Sequence, residues 1–222
     1  MVNELLTSGF SLYAIYALET YLPSLQISAK LPENIKIAAV TESELHKMSA
    51  QRSPNKVLAV AYLPQDAVED DSEQWRPGAM WMALDKLQDP GNMGTIIRIA
   101  DWFGMAGVIA SEDSVEFFNP KVVQASMGSI FRVKLQQRDL VQTFREADVP
   151  VYGALLNGES LYETGFRTPG ILLLGNESQG ITPQLKPYIT HPVTIPAFGR
   201  AESLNVATAA AVICSEIRRK GS

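Results

Sequence analysis

The chain has 222 residues, of which 46% are hydrophobic and 19% are charged, enough for a sizeable core in one or two domains. One cysteine, Cys214, excludes a disulfide framework and a four-thiol zinc site and suits a reducing compartment. The sequence has neither an apolar run of about 20 residues nor a basic-then-apolar leader, so we expect a soluble cytoplasmic protein that does not enter a membrane. The net charge of −5 argues against generic electrostatic attraction to nucleic acid but leaves room for a local basic patch.

The first 62 residues predict a small α/β unit. A helix is expected to end near Leu6, and strands are expected at 11–17, 35–40 and 56–61. Thr41 and Glu44 have the spacing of a capping box and predict a helix start. The stretch 63–78 is acidic and bounded by prolines, which predicts a linker.

From residue 79 to 222, apolar strands alternate with amphipathic stretches. This alternation is typical of a mostly parallel sheet with helices on both faces. Strands are expected at 79–84, 107–110, 131–134, 151–155, 171–174 and 190–194. Helices are expected at 93–103, 119–128, 138–147, 182–187 and 203–219.

Three loops rich in Gly and Asn follow strands of this second part, at 89–98, 172–180 and 195–206. Ligands of α/β proteins bind outside the carboxyl ends of the strands, on loops of this kind. We therefore expect the three loops to build one site.

In the first loop, Asn92 is a good N-cap for the helix 93–103, and Gly94 removes bulk, so that a phosphate or a polymer backbone could approach. Arg98 lies off the apolar stripe of that helix. It is either a binding group or the partner of Asp101 on a solvated face.

The second loop places Glu177 directly after a fully apolar strand, as a binding group or as a charge at a helix start. Gly175 and Gly180 allow tight turns, and the alternative is a plain turn that leads into a helix capped by Thr182.

In the third loop, Ser203 is a natural N-cap for an Ala-rich helix. The alternative is an ordinary, buried, capped helix without a functional role.

Several common sites are missing from the sequence. It contains no G-x-G-x-x-G fingerprint, no G-x-x-x-x-G-K-[ST] phosphate loop and no G-x-S-x-G elbow. The two histidines, His46 and His191, have no partner at metal-ligand spacing, so we expect no metal. The chemistry is therefore expected to rest on main-chain groups and on Asn, Ser, Glu and Arg side chains.

In this order, the loops resemble the signature motifs of SpoU-type (TrmH-like) RNA 2′-O-ribose methyltransferases of the SPOUT superfamily. Residues 89–98 match D-P-x-N-x-G-x-x-x-R, residues 174–180 match L-G-N-E-x-x-G, and residues 195–206 match I-P-x-x-G-x-x-x-S-L-N-V. The resemblance covers about residues 79–220. Residues 1–62 are similar to a shortened form of the L30e-like RNA-binding domain that precedes many such enzymes.

The resemblance implies a deep trefoil knot, a homodimer, RNA as substrate and S-adenosylmethionine as methyl donor. By the resemblance, the donor would be held mainly by main-chain groups at Gly175, Ile195 and Leu204. Asn176 and Gly180 of the second loop would belong to the same donor-binding set. A second set would form the catalytic end: Asn92, Arg98, Glu177, Ser203 and Asn205.

The implied reaction is methylation of a ribose 2′-hydroxyl, with ribosomal RNA favoured by the L30e-like leader. Arg98 would stabilise charge on the 2′-oxygen more readily than it would act as a base. The alternatives are a transfer RNA methyltransferase, a knotted RNA-binding module without catalysis, and a nucleotide-binding enzyme of the doubly wound class. The missing glycine fingerprint counts against the last of these.

Overall fold

A computed structural model of the chain describes residues 1–28, 35–49, 51, 53–64 and 75–220. The chain divides into two compact units, Met1–Glu69 and Asp70–Ser222. Most of the predicted linker 63–78, namely residues 65–74, lies outside the described residues. The domain limits 1–62, 63–78 and 79–222 therefore stay predictions.

The described part of the smaller unit contains a three-stranded sheet and three short helices. Strand β1 lies in the centre, parallel to β2 and antiparallel to β3. The elements are, in chain order, α1 (Val2–Leu6), β1 (Leu12–Leu18), α2 (Leu22–Ser28), β2 (Lys36–Val40), α3 (Glu42–Met48) and β3 (Val57–Ala61). The predicted α/β character is confirmed, whereas the L30e-like assignment stays a prediction.

The capping box predicted for α3 is present. The backbone amide of Glu44 donates to the hydroxyl of Thr41 at 3.3 Å, and the backbone amide of Thr41 donates to the carboxylate of Glu44 at 2.8 Å. Both amides would otherwise lack an intrahelical partner, so the pair fixes where the helix begins. The backbone amide and the hydroxyl of Thr41 both donate to the Glu44 carboxylate, and they hold the pKa of this exposed carboxyl below its usual value.

The larger unit is built on a parallel sheet, with six strands among the described residues. Their order is β6-β5-β4-β8-β7-β9, and every neighbouring pair is parallel. The elements are β4 (Met80–Leu84), α4 (Pro90–Trp102), β5 (Gly107–Ala110), α5 (Pro120–Ala125), β6 (Leu135–Gln137), α6 (Leu140–Glu146), β7 (Val151–Ser160), β8 (Gly170–Leu174), β9 (His191–Thr194) and α7 (Val206–Lys220).

Both faces of this sheet are covered, as predicted. Met80, Met82 and Leu84 of β4 pack into one apolar cluster with α4 and α7. The alternate residues Trp81 and Ala83 pack into a second cluster with α6. All five residues of β4 are buried because successive side chains of a strand point to opposite faces.

Two predicted elements are wrong. In place of a strand at 131–134, a 3₁₀ turn at Ser129–Phe131 precedes β6, which begins four residues later than expected at Leu135. Arg132 donates to the Asp101 carboxylate at 2.6 Å, which ties this segment to α4 instead of to a strand. In place of a helix at 182–187, only a 3₁₀ turn forms, at Lys186–Tyr188.

The reason for the second error is local. The backbone amide of Thr182 donates to the Asp85 carboxylate at 2.6 Å, and no α-helix follows that Thr182 could cap. Pro183 and Pro187 have no amide hydrogen to donate, and each disfavours helical geometry in the residue before it. The apolar positions Ile181 and Leu185 are buried against the sheet without a helix.

The strand order reverses beside β4. From there, β5 and β6 extend to one side, and β8, β7 and β9 extend to the other. The first and second loops follow β4 and β8, which are neighbours, and such a switch point is where open α/β sheets bind ligands. The third loop follows the edge strand β9, after which α7 returns to pack on α4. The trefoil knot stays a prediction. No helix in the described ranges is both long and apolar enough to cross a bilayer.

Gly94 allows α4 and α5 to approach closely, which differs from the expected opening for a ligand. A Cβ atom at Gly94 would lie 2.5 Å from the Cβ of Ala125 and 2.6 Å from the backbone oxygen of Val122. Gly94 is fully enclosed by these contacts, so its role is in helix packing.

We expect Gly94→Ala to lower the free energy of unfolding by about 1–3 kcal/mol, because the added methyl group meets backbone atoms that cannot rotate away. Gly165→Ala is the matched control, since nothing lies within 4 Å of a Cβ at that position. Urea unfolding of both variants measures the difference. Equal stability of the two would show that the helices separate at little cost.

Candidate active site

One side chain joins all three loops. Asn92, in the first turn of α4, donates from Nδ2 to Oε1 of Glu177 at 3.0 Å. Its Oδ1 accepts from Nδ2 of Asn205, also at 3.0 Å. Glu177 and Asn205 lie 85 and 113 positions after Asn92 in sequence, so the expected convergence of the loops is present.

Asn92 is free for this role because another residue caps α4. The helix begins at Pro90, and the side chain of Asp89 accepts from the backbone amide of Asn92 at 2.7 Å. The predicted N-cap at Asn92 is therefore wrong. Because Asp89 accepts from the backbone amide of Asn92 and caps the helix, the side chain of Asn92 can face the other two loops.

The second loop closes on itself. The backbones of Asn176 and Gly180 exchange hydrogen bonds at 3.0 and 2.9 Å. Oδ1 of Asn176 accepts from the amides of Ser178 and Gln179, at 2.9 and 3.1 Å. No helix begins here, so the interpretation of Glu177 as a helix-start charge is wrong.

Gly175 and Gly180 make this closure possible. A Cβ at Gly175 would lie 2.3 Å from the backbone carbon of Gly180 and 2.4 Å from the amide nitrogen of Ile181. Gly180 has φ of +67°, in the left-handed region where side chains are strained. The loop therefore presents main-chain groups in one fixed arrangement.

The third loop ends at a cap formed by Asn205. Its Oδ1 accepts from the amides of Ala207 and Thr208 at 2.9 and 3.2 Å, and α7 begins at Val206. Ser203, the predicted cap, is exposed and lies before the helix. Asn205 thus both caps α7 and donates to Asn92.

A cavity of about 930 Å³ lies between the second and third loops. Its volume is in the range of small-molecule and cofactor sites. The apolar part of its wall comes from β7, the end of β8, the second loop, β9, the third loop and α7. These residues include Leu174, Ile181, Val193, Ile195, Leu204, Val206 and Ile213.

Eight of the ten predicted site residues line this cavity. They are Gly175, Asn176, Glu177, Gly180, Ile195, Ser203, Leu204 and Asn205. Asn92 is outside the lining but hydrogen-bonded to two of its members. Arg98 is also outside the lining.

Arg98 is exposed on α4, and the described part of the chain gives it no hydrogen-bond or ion-pair partner. Asp101, its expected alternative partner, accepts instead from Arg132 and, at 2.7 Å, from the hydroxyl of Ser129. Trp102, one turn beyond Arg98, is 83% exposed. The same surface of α4 therefore carries an unpaired cation and a large exposed aromatic ring.

Sequence reasoning missed one wall of the cavity. Strand β7 shifts its register against β9 between Ala154 and Glu159 and bulges there. Residues 154–157 line the cavity, and the hydroxyl of Thr194 donates to the backbone oxygen of Leu156 at 3.0 Å. Gly158, inside the bulged segment, was the signal in the sequence, since glycine inside a strand often marks a bulge.

Sequence reasoning also missed Asp85. It follows a fully apolar strand directly, as Glu177 nearly does, and this pattern was available to find it. Asp85 is 2% exposed, and its carboxylate contacts the far end of the second loop at Thr182.

Other reactive groups lie elsewhere. Burial raises the pKa of the Cys214 thiol to about 12, so this side chain stays protonated and unreactive near neutral pH. Within the described ranges, no group of three or more His, Cys, Asp or Glu side chains is placed to hold a metal ion.

Taken together, the switch-point loops, the closed main-chain turn and the cavity define an α/β protein with a cofactor-sized site at the carboxyl ends of its strands. The sequence model described as the SpoU rRNA Methylase family matches residues 79–215. That match covers more than half of the chain. The protein belongs to the SpoU rRNA methylase family, and the predicted family resemblance is confirmed.

Three relatives illustrate the similarity. The 23S rRNA (guanosine(2553)-2′-O)-methyltransferase RlmP of Bacillus subtilis is 31% identical over 204 residues, which are 90% of this chain and 77% of that protein. A structure assigned to the TrmH family of RNA methyltransferases, from Porphyromonas gingivalis, has a TM-score of 0.86 and 38% identity, and covers 99% of this chain and 86% of its own. The AdoMet-bound rRNA methyltransferase from Sinorhizobium meliloti has a TM-score of 0.86 and 26% identity, and covers 99% of this chain and 85% of its own.

The two roles of Asn205 can be separated by substitution. Asn205→Ala removes the cap and the bond to Asn92, and we expect a loss of about 1–2 kcal/mol in unfolding free energy. Asn205→Asp keeps an oxygen that can cap α7 but cannot donate to Asn92.

We therefore expect Asn205→Asp to retain most of the stability while freeing the third loop from the first. Thermal unfolding measures the stability, and hydrogen exchange at residues 196–205 measures the release of the loop. Unchanged exchange in the Asp variant would show that the bond to Asn92 does not hold the loop.

Proposed function

We propose that this protein transfers a methyl group from S-adenosylmethionine to a ribose 2′-hydroxyl of RNA, ribosomal RNA in the first place. The observation that carries the proposal is the joining of three loops around the cavity by Asn92, Glu177 and Asn205. Membership in the SpoU family and the named activity of the B. subtilis relative support it. A single cysteine without a disulfide partner suits a reducing compartment, and we assign the reaction to the cytoplasm.

The cavity fits the methyl donor. It is large enough for a nucleoside with an amino-acid side chain, and its wall combines apolar side chains with main-chain groups of the glycine-containing loop. In this proposal the main chain at Gly175, Ile195 and Leu204 holds the donor, and Asn176 and Gly180 shape the loop. When bound, the donor supplies a methyl group on a positively charged sulfur.

The catalytic demand on the protein is to assist a weak nucleophile. A sugar hydroxyl develops negative charge on oxygen as it reacts, and a positioned cation stabilises that charge. We assign this role to Arg98, which is exposed and unpaired within the described residues. A guanidinium holds its proton too firmly to act as a base, so in this proposal Arg98 serves as a hydrogen-bond donor and a phosphate ligand.

The other predicted catalytic residues act in support of Arg98. Glu177 fixes the side chain of Asn92 through the bond at 3.0 Å. Asn205 ties the third loop to the same amide, and Ser203 presents a hydroxyl at the cavity wall. In this proposal residues 1–62 are an L30e-like domain that contacts RNA outside the reaction site.

The activity is tested with a methyl-labelled donor and total RNA from cells that lack the protein. Label in ribosomal RNA, at a nucleotide that resists alkaline cleavage on its 3′ side, is the expected result. Label in transfer RNA would favour the alternative substrate. RNA binding without any label would favour a binding module without catalysis.

We expect Arg98→Ala to lower the methylation rate at least about 100-fold, the scale of removing one preorganised donor. Affinity for S-adenosylhomocysteine should stay within about twofold, because Arg98 is outside the cavity lining. Arg98→Lys keeps the charge but loses the planar fork and should recover only part of the rate. Single-turnover methylation and calorimetry measure the two quantities, and near-normal methylation by Arg98→Ala would remove Arg98 from the mechanism.

A second copy of the chain completes the site in this proposal. Arg98 is absent from the cavity lining of its own protomer, and its surface of α4 also presents Thr95 and the 83% exposed Trp102. Arg98 and Trp102 lie three and seven positions after Thr95 along the helix, so the three residues share one face. A homodimer that buries this face would bring one protomer's Arg98 to its partner's cavity.

Mixing two inactive variants tests this arrangement. Arg98→Ala lacks the cation, and Leu204→Trp fills the cavity with a larger side chain. If the site is shared, a 1:1 mixture that exchanges subunits should recover about one quarter of the wild-type activity, since half of the dimers are mixed and each has one intact site. A mixture as inactive as its components would place Arg98 and the cavity within the same protomer.

A further inference from the structure

Asp85 occupies an unusual position for a carboxylate. It follows β4 in the centre of the sheet and is 2% exposed. Its backbone amide donates to the oxygen of Leu174, the last residue of β8, at 2.9 Å. Its Oδ2 accepts from the backbone amide of Thr182 at 2.6 Å. Asp85 therefore contacts the chain at both ends of the second loop.

Lys86 adds another contact to that loop. Its backbone oxygen accepts from Nδ2 of Asn176 at 2.7 Å, and its own amide donates to the hydroxyl of Ser111 at 2.8 Å. Lys86 has φ of +53°, a conformation that costs energy for a residue with a side chain. The ion pair of Lys86 with Asp113, at 2.8 Å, accompanies this turn.

We propose that Asp85 is a positioning residue for the donor-binding loop, residues 175–181. The inference rests on the proposed function, since it assigns that loop to the methyl donor. Asp85 does not line the cavity and touches no reacting atom. It acts by fixing where the main chain leaves the cavity, at Thr182.

The physical reason lies in how the loop binds. Main-chain groups cannot change rotamer to find a ligand, so their positions depend on what anchors the two ends of the loop. One end continues from β8 and is held by the sheet. The other end enters no helix or strand at Thr182, and the hydrogen bond to Asp85 is its anchor there. This hydrogen bond is short and its acceptor is buried, so breaking it leaves the Thr182 amide without a partner in a partly buried place.

Asp85→Ala removes the anchor and leaves the Thr182 amide without its acceptor. We expect the affinity for S-adenosylhomocysteine to fall at least about tenfold, which corresponds to the loss of one buried hydrogen bond. Asp85→Asn keeps the shape and one acceptor oxygen, so it should bind within about threefold of the wild type. Recovery by the conservative variant identifies the hydrogen bond itself as the cause.

Tyr152→Phe is the matched control. The hydroxyl of the buried Tyr152 accepts from the backbone amide of Arg167, also at 2.6 Å, but the loop that it holds does not line the cavity. This variant should lose thermal stability and keep its affinity for S-adenosylhomocysteine within about twofold. The comparison separates loss of a buried hydrogen bond in general from loss of this one.

The experiment is calorimetric titration of the full chain with S-adenosylhomocysteine, beside thermal unfolding of each variant. If Asp85→Ala does not fold, Asp85→Ser replaces it under the same criteria, because its hydroxyl is on a shorter arm. Wild-type protein that is folded but does not bind would refute the proposed function and this inference together. Binding by the wild type and, within twofold, by Asp85→Ala would overturn the role of Asp85 alone.

Discussion

The amide of Asn92 is the contact on which the site depends. Its Nδ2 donates to the carboxylate of Glu177, and its Oδ1 accepts from the side chain of Asn205, each at 3.0 Å. An amide offers both in one rigid plane, which a carboxylate or an alkyl chain does not. Because α4 also packs against the sheet through Ile96 and Ile97, the loops that enclose the cavity are tied to the core of the unit.

The closed turn of the second loop forms one wall of the cavity, and this turn requires glycine at two positions. Gly175 is required because the backbone of Gly180 and Ile181 passes within 2.7 Å of where its Cβ would be. Asn176 is occupied by the amides of its own turn and by the oxygen of Lys86. Main-chain groups that bind a ligand must be held in place by residues outside their own loop. We infer that buried residues such as Asp85 have this role.

The sequence predicted the architecture well where hydrophobic runs are long. The apolar runs that became β4 and β8 were located within one residue of their observed limits, and the loops after them indicated a shared site. The resemblance to the family supplied eight residues that line the cavity. The predictions were wrong where short apolar stretches are buried without forming the expected strand or α-helix. Phe131 and Ile181 are the examples.

Contacts between distant segments could not be predicted from the sequence. The cap of α4 is a different case, because Pro90 favours the first position of a helix and was a signal in the sequence for Asp89 as the cap. By contrast, Asp101 lies at the correct spacing for Arg98, but the competing partner Arg132 is 31 positions away in sequence. Helix periodicity shows which face of α4 carries Arg98, but it does not show where that face lies relative to the cavity.

The bulge of β7 has a consequence for how this enzyme class can change. The wall formed by the glycine loop cannot accept a larger residue, since backbone already fills the space beside Gly175. Leu156 in the bulge is 72% exposed. Its described hydrogen bond uses the backbone oxygen, so a different side chain at this position leaves that bond in place. Changes in the shape of the cavity, in nature or in a directed library, therefore have more freedom at the bulge than at the glycine loop.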